Sequence, residues 1–315
     1  MVRVLGEYII PGEARPMHIK TRDGTQLHVK DMGSGDPVIL IHGWPLTGDM
    51  WEYQTLALLE AGYRVITYDR RGFGQSGHPA TGYNYDWFAH DLADLIDALE
   101  IDKAALVGFS MGGGEIARYL GHYGSAKISR VALIASVVPY LLKDEGNPDG
   151  VDPDVFDDIK AQIRADRFAF LQSFTKTFYG QGFISRPVSQ GIMDWSFVLG
   201  SMASPLATLA CVDAFSRTDF RPDLPAFDVP TLIIHGTSDK TVPIDPTARA
   251  AVRALPQAQY VEYEGEPHGL FATAPDRLNS DLLGFLAGES EPRSLTVARE
   301  IMETEALIAQ PPLFP

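Results

Sequence analysis

The sequence predicts an α/β protein with a doubly wound, mostly parallel eight-stranded sheet, helices on both faces and one inserted helical cap. Three observations carry this. Short continuous apolar runs such as PVILI at 37–41 and TLII at 231–234 have no polar face, as strands buried on both sides of a parallel sheet require. Segments of helical period alternate with these runs, which implies right-handed crossover connections. The alternation breaks once, over residues 137–225, and then resumes.

Residues 1–16 read as an irregular arm. Residues 17–21 and 26–30 alternate around Asp23-Gly24, a hairpin signal. The apolar strand 37–42 ends in Gly43-Trp44-Pro45-Leu46. Asp49 is placed to cap a helix over 50–59 with Trp51, Leu56 and Leu59 near one face. A strand at 63–68 leads into a loop, 69–77, too rich in glycine for helix or strand. A helix is expected over 87–99 and a buried strand over 104–107. Gly108-Phe109-Ser110-Met111-Gly112 follows, and then a helical segment including 115–120. One more buried strand occupies 130–135.

The segment 137–225 holds nine of the sixteen phenylalanines. Asp152-Pro153 marks a helix start, running to about Phe170. So many rings in one insertion suggest a lid over an apolar pocket, with most of them packing the insertion's own core. Beyond it come a strand at 229–236, a polar loop at 237–240, a helix at 248–254, a strand at 259–263 and a helix at 275–286. The expected organisation is a core of 1–136 and 226–288, a cap of 137–225 and a tail of 289–315, with a helix over 294–309.

Composition narrows the function. The chain has 26 basic and 41 acidic residues, a net charge of −15, which argues against a nucleic-acid or anionic-membrane partner. Its single cysteine, Cys211, allows no intrachain disulfide and fits a reducing cytoplasm, the expected location. The N-terminal stretch has no apolar core before Pro11, so no signal peptide is expected, and no apolar run approaches the ~18 residues of a membrane span.

Strand, G-x-S-x-G, helix is the context that turns a common pattern into a nucleophile elbow; without further groups it would be a plain glycine-rich turn or a phosphate-binding loop. Ser110 is the candidate nucleophile. A serine hydroxyl needs a general base, and the base needs a third group to fix its tautomer. Asp239 and His268 follow in the order expected on such a sheet, both after strand ends, where function collects. Asp245 competes with Asp239 but lies further from its strand end. Among eight histidines, His42 sits beside the candidate oxyanion loop as its prop, and His235 reads as a structural hydrogen-bonder. His18 and His28 lie on the early hairpin, and His78, His90 and His122 on a loop or helices away from the strand ends. The backbone N–H groups of Met111 and Trp44 are the candidate oxyanion donors, since Pro45 has no N–H. With no Cys/His cluster, no H-E-x-x-H and no G-x-x-x-x-G-K-[ST] loop, neither a metal nor another cofactor is expected.

Together, His42-Gly43-Trp44-Pro45, the run from Asp69 to Ser76, Gly108 to Glu115, and Asp239 with His268 resemble the α/β-hydrolase superfamily. The resemblance covers about residues 17–288. The Trp44-Pro45 pair and the S-M-G-G-G-E run narrow it to the cofactor-free haloperoxidase/arylesterase (perhydrolase) branch. That branch implies a Ser-Asp-His triad, hydrolysis of small esters, and perhydrolysis, in which hydrogen peroxide replaces water at an acyl-enzyme and the peracid oxidises halide without haem or metal. Relatives acting as dehalogenases or epoxide hydrolases carry Asp at the elbow, so Ser110 argues against both. The same triad would also serve a lactonase, an amidase or a C–C bond hydrolase. A non-catalytic ligand-binding protein is the alternative from another class. The arm and the tail depart from the branch's pattern and leave assembly into a homo-oligomer open.

Overall fold

A computed structural model describes residues 15–182 and 185–295. Eight strands form one sheet: β1 (Arg15–Lys20), β2 (Gln26–Met32), β3 (Pro37–Ile41), β4 (Arg64–Tyr68), β5 (Ala104–Phe109), β6 (Ile128–Ile134), β7 (Thr231–Gly236) and β8 (Gln259–Tyr263). Their order is β1-β2-β4-β3-β5-β6-β7-β8. β1 and β2 pair antiparallel, as do β2 and β4, while every pair from β4–β3 onward is parallel. The hairpin turns at Gly24, whose φ of 89° suits a residue without Cβ.

Strand alternation divides the core. Ile39 and Ile41 of β3 point into one apolar cluster, and Val38 and Leu40 into the other. Leu106 of β5 and Ile233 of β7 join the first face, Val107 and Ile234 the second. Both faces are closed by helices: α1 (Glu52–Glu60), α2 (Tyr85–Ala98), α3 (Met111–Tyr123), α7 (Ala248–Ala254), α8 (Leu270–Thr273) and α9 (Pro275–Ala287). The segment expected as a cap carries α4 (Pro153–Phe178), α5 (Gln190–Ser201) and α6 (Pro205–Arg217). Short 3-10 turns at Gly48–Trp51 and Arg221–Ala226 precede α1 and follow α6.

Several elements differ from expectation. Residues 48–51 wind as a 3-10 turn before α1 begins, capped by Thr47 rather than Asp49. Leu56 is 59% exposed, and the buried positions of α1 are Gln54 and Leu58. Gln54 is drawn inward because its amide donates to Phe271 O and Asn279 Oδ1, both at 3.1 Å. Asp152 gives no side-chain capping bond, and α4 continues past Phe170, interrupted at Asp166. There the carboxylate accepts from the N–H groups of Phe168 and Ala169, at 3.1 and 2.9 Å, and so caps a second helical stretch. Ser189 and Ser204 cap α5 and α6 in the same way. Arg15 and Pro16, assigned to the arm, open β1. The rest of the arm and the expected 294–309 helix beyond Leu295 lie outside the described residues.

Cap and sheet share one core. Phe156, Phe170 and Leu171 of α4 and Ala207, Cys211 and Val212 of α6 belong to the same cluster as Ile39, Ile41 and Ile116. Cys211 is fully buried, and burial pushes its thiol up to about 12. Among the described residues, no single helix is long and apolar enough to cross a membrane.

Candidate active site

β5 ends in the G-x-S-x-G turn, and its glycines are there for close approach. A Cβ at Gly108 would lie 2.7 Å from the Gly112 backbone, and one at Gly112 would lie 2.4 Å from Ile41 O. A Cβ at Gly113 would meet Ser136 Oγ at 2.1 Å. Only bare backbone lets α3 start this close to β3 and β5. Ser110 takes the cost of the turn, with φ 54° and ψ −118°, a strained conformation for a residue with a side chain. Its N–H is tied to Ile134 O at 2.8 Å.

The side chain aims at His268, whose Nε2 lies 3.0 Å from Ser110 Oγ. The other ring nitrogen, Nδ1, lies 2.6 Å from Asp239 Oδ2. A carboxylate only accepts, so Nδ1 carries the proton and Nε2 is free to accept the serine proton. Phe109 and Phe178 flank the imidazole, with ring centroids 4.8 and 5.0 Å away, and hold its plane. The loops bearing Asp239 and His268 are clamped together: Ser238 N–H donates to Glu266 O at 3.0 Å, and a Cβ at Gly236 would lie 2.2 Å from that oxygen.

Asp239 is buried, yet four donors surround it. Oδ1 accepts from Thr241 and Val242 N–H, both at 2.8 Å. Oδ2 receives His268 and, at 3.1 Å, His235 Nε2. Burial alone would raise its pKa; the two imidazoles more than offset this and hold the carboxyl well below the usual aspartate range. Asp245 is elsewhere, ion-paired with Arg249 at 2.9 Å on the surface. His235 was legible as a hydrogen-bonding residue, and the structure adds what it bonds: Nε2 also meets Val242 O at 2.8 Å. Its spacing of four before Asp239 was the available signal.

The loop after β3 comes beside the elbow, since a Cβ at Gly43 would lie 3.0 Å from Ser110 Cβ. Among the described residues, the N–H groups of Trp44 and Met111 have no hydrogen-bond acceptor. Two unpaired donors on converging loops suit a developing oxyanion. His42 braces this loop. Burial and the neighbouring Arg70 guanidinium hold it well below the ordinary imidazole value, so it stays neutral. Nδ1 then donates to Gly43 O at 3.0 Å, and Nε2 accepts from Arg70 N–H at 2.9 Å. Arg70 also donates to His42 O at 2.9 Å and pairs with Glu115 of α3 at 2.7 Å, with no exposure of either side chain. Tyr68 hydroxyl donates to the other Glu115 oxygen.

A cavity of about 400 Å³ opens over Ser110 and His268. Four cap phenylalanines, Phe156, Phe170, Phe174 and Phe215, line it together with Trp44. The other described cap phenylalanines do other work: Phe178 packs on His268, Phe220 packs on Tyr85, and Phe168, 51% exposed, packs on Phe197. The Trp44 indole links the layers, packing on Phe170, Phe174 and Phe215 and donating Nε1–H to Thr208 O at 3.1 Å. Among the described residues no group of three or more His, Cys, Asp or Glu side chains is placed to hold a metal ion.

Comparison with known proteins agrees with this architecture. The non-heme chloroperoxidase CPO-A1 of Kitasatospora aureofaciens is 42% identical over 268 residues, spanning 84% of this chain and 98% of that protein. The bifunctional esterase/perhydrolase DCH of Acinetobacter calcoaceticus is 36% identical over 273 residues, spanning 85% and 99%. The crystal structure of a bromoperoxidase from Bacillus anthracis superposes with a TM-score of 0.84 at 46% identity, covering 87% of this chain and 100% of that one. A family model described as the alpha/beta hydrolase fold matches residues 36–275, and the chain belongs to that family.

Proposed function

We propose that this protein is a serine hydrolase acting on small carboxylic esters through an acyl-enzyme, with metal-free perhydrolase activity beside it. One observation carries the reading: an elbow serine, an imidazole and a buried carboxylate in hydrogen-bond series, at the floor of an apolar cavity. Ser110 Oγ attacks the ester carbonyl while His268 Nε2 takes its proton. Asp239 orients the ring and stabilises the imidazolium. The Trp44 and Met111 N–H groups hold the oxyanion, each worth about 3 kcal/mol of barrier. His268 returns the proton to the leaving alcohol, and water then repeats the sequence at the acyl carbonyl.

Hydrogen peroxide in place of water would give a peracid and free Ser110. The peracid oxidises halide to hypohalous acid and reverts to the carboxylic acid. The relatives named for haloperoxidase and for esterase/perhydrolase activity support this branch. The cap at 137–225 roofs the acyl site in this reading. A cytoplasmic location rests on the lone cysteine.

The test is turnover of a small aryl acetate, and of peroxide plus acetate in a halogenation assay, by wild type and Ser110→Ala. Both activities should fall at least about a thousandfold in the variant. Retained turnover would overturn the assignment.

A further inference from the structure

The cavity's charge distribution points to the kind of acyl group that it accepts. Its lining is mostly apolar, with Val137, Val151, Val155 and Ile159 joining the aromatic side chains. No aspartate or glutamate lines it, and apart from His268 its one ionisable side chain is Lys240. Among the described residues Lys240 makes no ion pair or hydrogen bond. Lys30, Lys127, Lys143 and Lys160 each pair with an aspartate; among the described residues Lys20, Lys103 and Lys176 have no ion pair either, but none of them lines this cavity. In a chain of net charge −15, a cation left unneutralised on a pocket wall stands out.

Lys240 is also held in place. It follows Asp239 directly, and the loop is pinned on both sides by Thr241 and Val242 N–H donating to Asp239 Oδ1 at 2.8 Å. His235 Nε2, at 2.8 Å from Val242 O, fixes the next peptide. The backbone that sets the Asp239 carboxylate therefore also sets the start of the lysine side chain, whose flexible four-carbon stem leaves the ammonium free to adjust to a ligand. Thr241 lines the same cavity, and its buried hydroxyl has no partner. Two adjacent residues thus offer donors with no acceptor in the protein.

With the scissile carbonyl at Ser110, a carboxylate carried further along the acyl chain is a substrate group that would neutralise Lys240. We propose that Lys240 is a specificity-determining residue, and that the preferred substrate is a monoester of a dicarboxylic acid whose free carboxylate meets this ammonium. Lys240 is exposed, so the attraction is that of a partly solvated pair beside an apolar wall, worth at most about 1 kcal/mol, or about fivefold. This inference rests on the serine-esterase reading above.

The experiment compares kcat/KM for monomethyl adipate with that for dimethyl adipate, as a ratio within each of wild type, Lys240→Met and Lys240→Glu. Wild type should favour the monoester about fivefold, a preference that weakens at about 0.5 M salt. The ratio should approach one in Lys240→Met and fall below one in Lys240→Glu. Lys240 is exposed, so the variants should fold, which circular dichroism checks. An unchanged ratio in Lys240→Met, or a wild type that prefers the diester, overturns the proposal while leaving the esterase intact. Failure of wild type to cleave any ester removes the esterase reading and this inference with it.

Discussion

At the scale of single residues, Asp239 gathers two backbone N–H groups and two imidazoles around one carboxylate. Its pKa in the folded state lies below that of a free aspartate, about 3.9. The sign follows: proton uptake favours the unfolded chain, so the stabilisation is complete above about pH 4 and is lost as pH falls below it. Asp239→Asn should therefore show its largest loss of melting temperature near neutrality, with the gap to wild type narrowing in acid. Thermal unfolding between about pH 7 and pH 3 measures this, and a constant gap would contradict it. Ser110, Asp239 and His268 could be read from the sequence because each follows a strand end in a known order. The tie between His235 and Asp239 had only the four-residue spacing as its signal, because it depends on how the chain turns between them. Lys240 carried no signal in the sequence, because its place on the cavity wall depends on how the loop after β7 meets α4 and α6.

Among the elements, the elbow is the tightest join. Gly112→Ala tests it. Alanine's helix propensity returns about 1 kcal/mol, whereas overpacking costs about 3 kcal/mol. The clash wins because the atom 2.4 Å from the new Cβ is Ile41 O, a backbone oxygen inside the sheet that cannot swing away. The net loss should be about 2 kcal/mol, visible as a lower urea midpoint with an unchanged slope. Stabilisation would show that β3 and α3 are less closely packed than described. Periodicity located most elements well: α7 and β8 have the expected bounds, 248–254 and 259–263. It failed in α1, where Gln54 displaces Leu56 from the interior by satisfying Phe271 O and Asn279. It also failed at Asp166, where a single carboxylate starts a new helical stretch inside what would otherwise be one helix.

At the scale of the whole molecule, strand order is what the sequence did not disclose. β3 lies between β4 and β5, so the Trp44 loop and the Ser110 elbow, distant in sequence, emerge from neighbouring strands. The cap is joined to that sheet by shared packing as well as by two chain crossings, since its phenylalanines and the Trp44 indole occupy the same core cluster. Cap and sheet should unfold in one cooperative transition, with calorimetric and van't Hoff enthalpies equal; two resolved transitions would contradict this. Cys211 then has a use beyond packing. As the chain's only thiol, fully buried on α6 and with its pKa pushed up by burial, it is silent to alkylating reagents while the cap stays seated. Its modification is a native clock for cap opening, with no introduced label. If the opening free energy read from alkylation equals the global stability, substrate enters without lifting the cap; a smaller value gives the energy of a breathing motion above the acyl site.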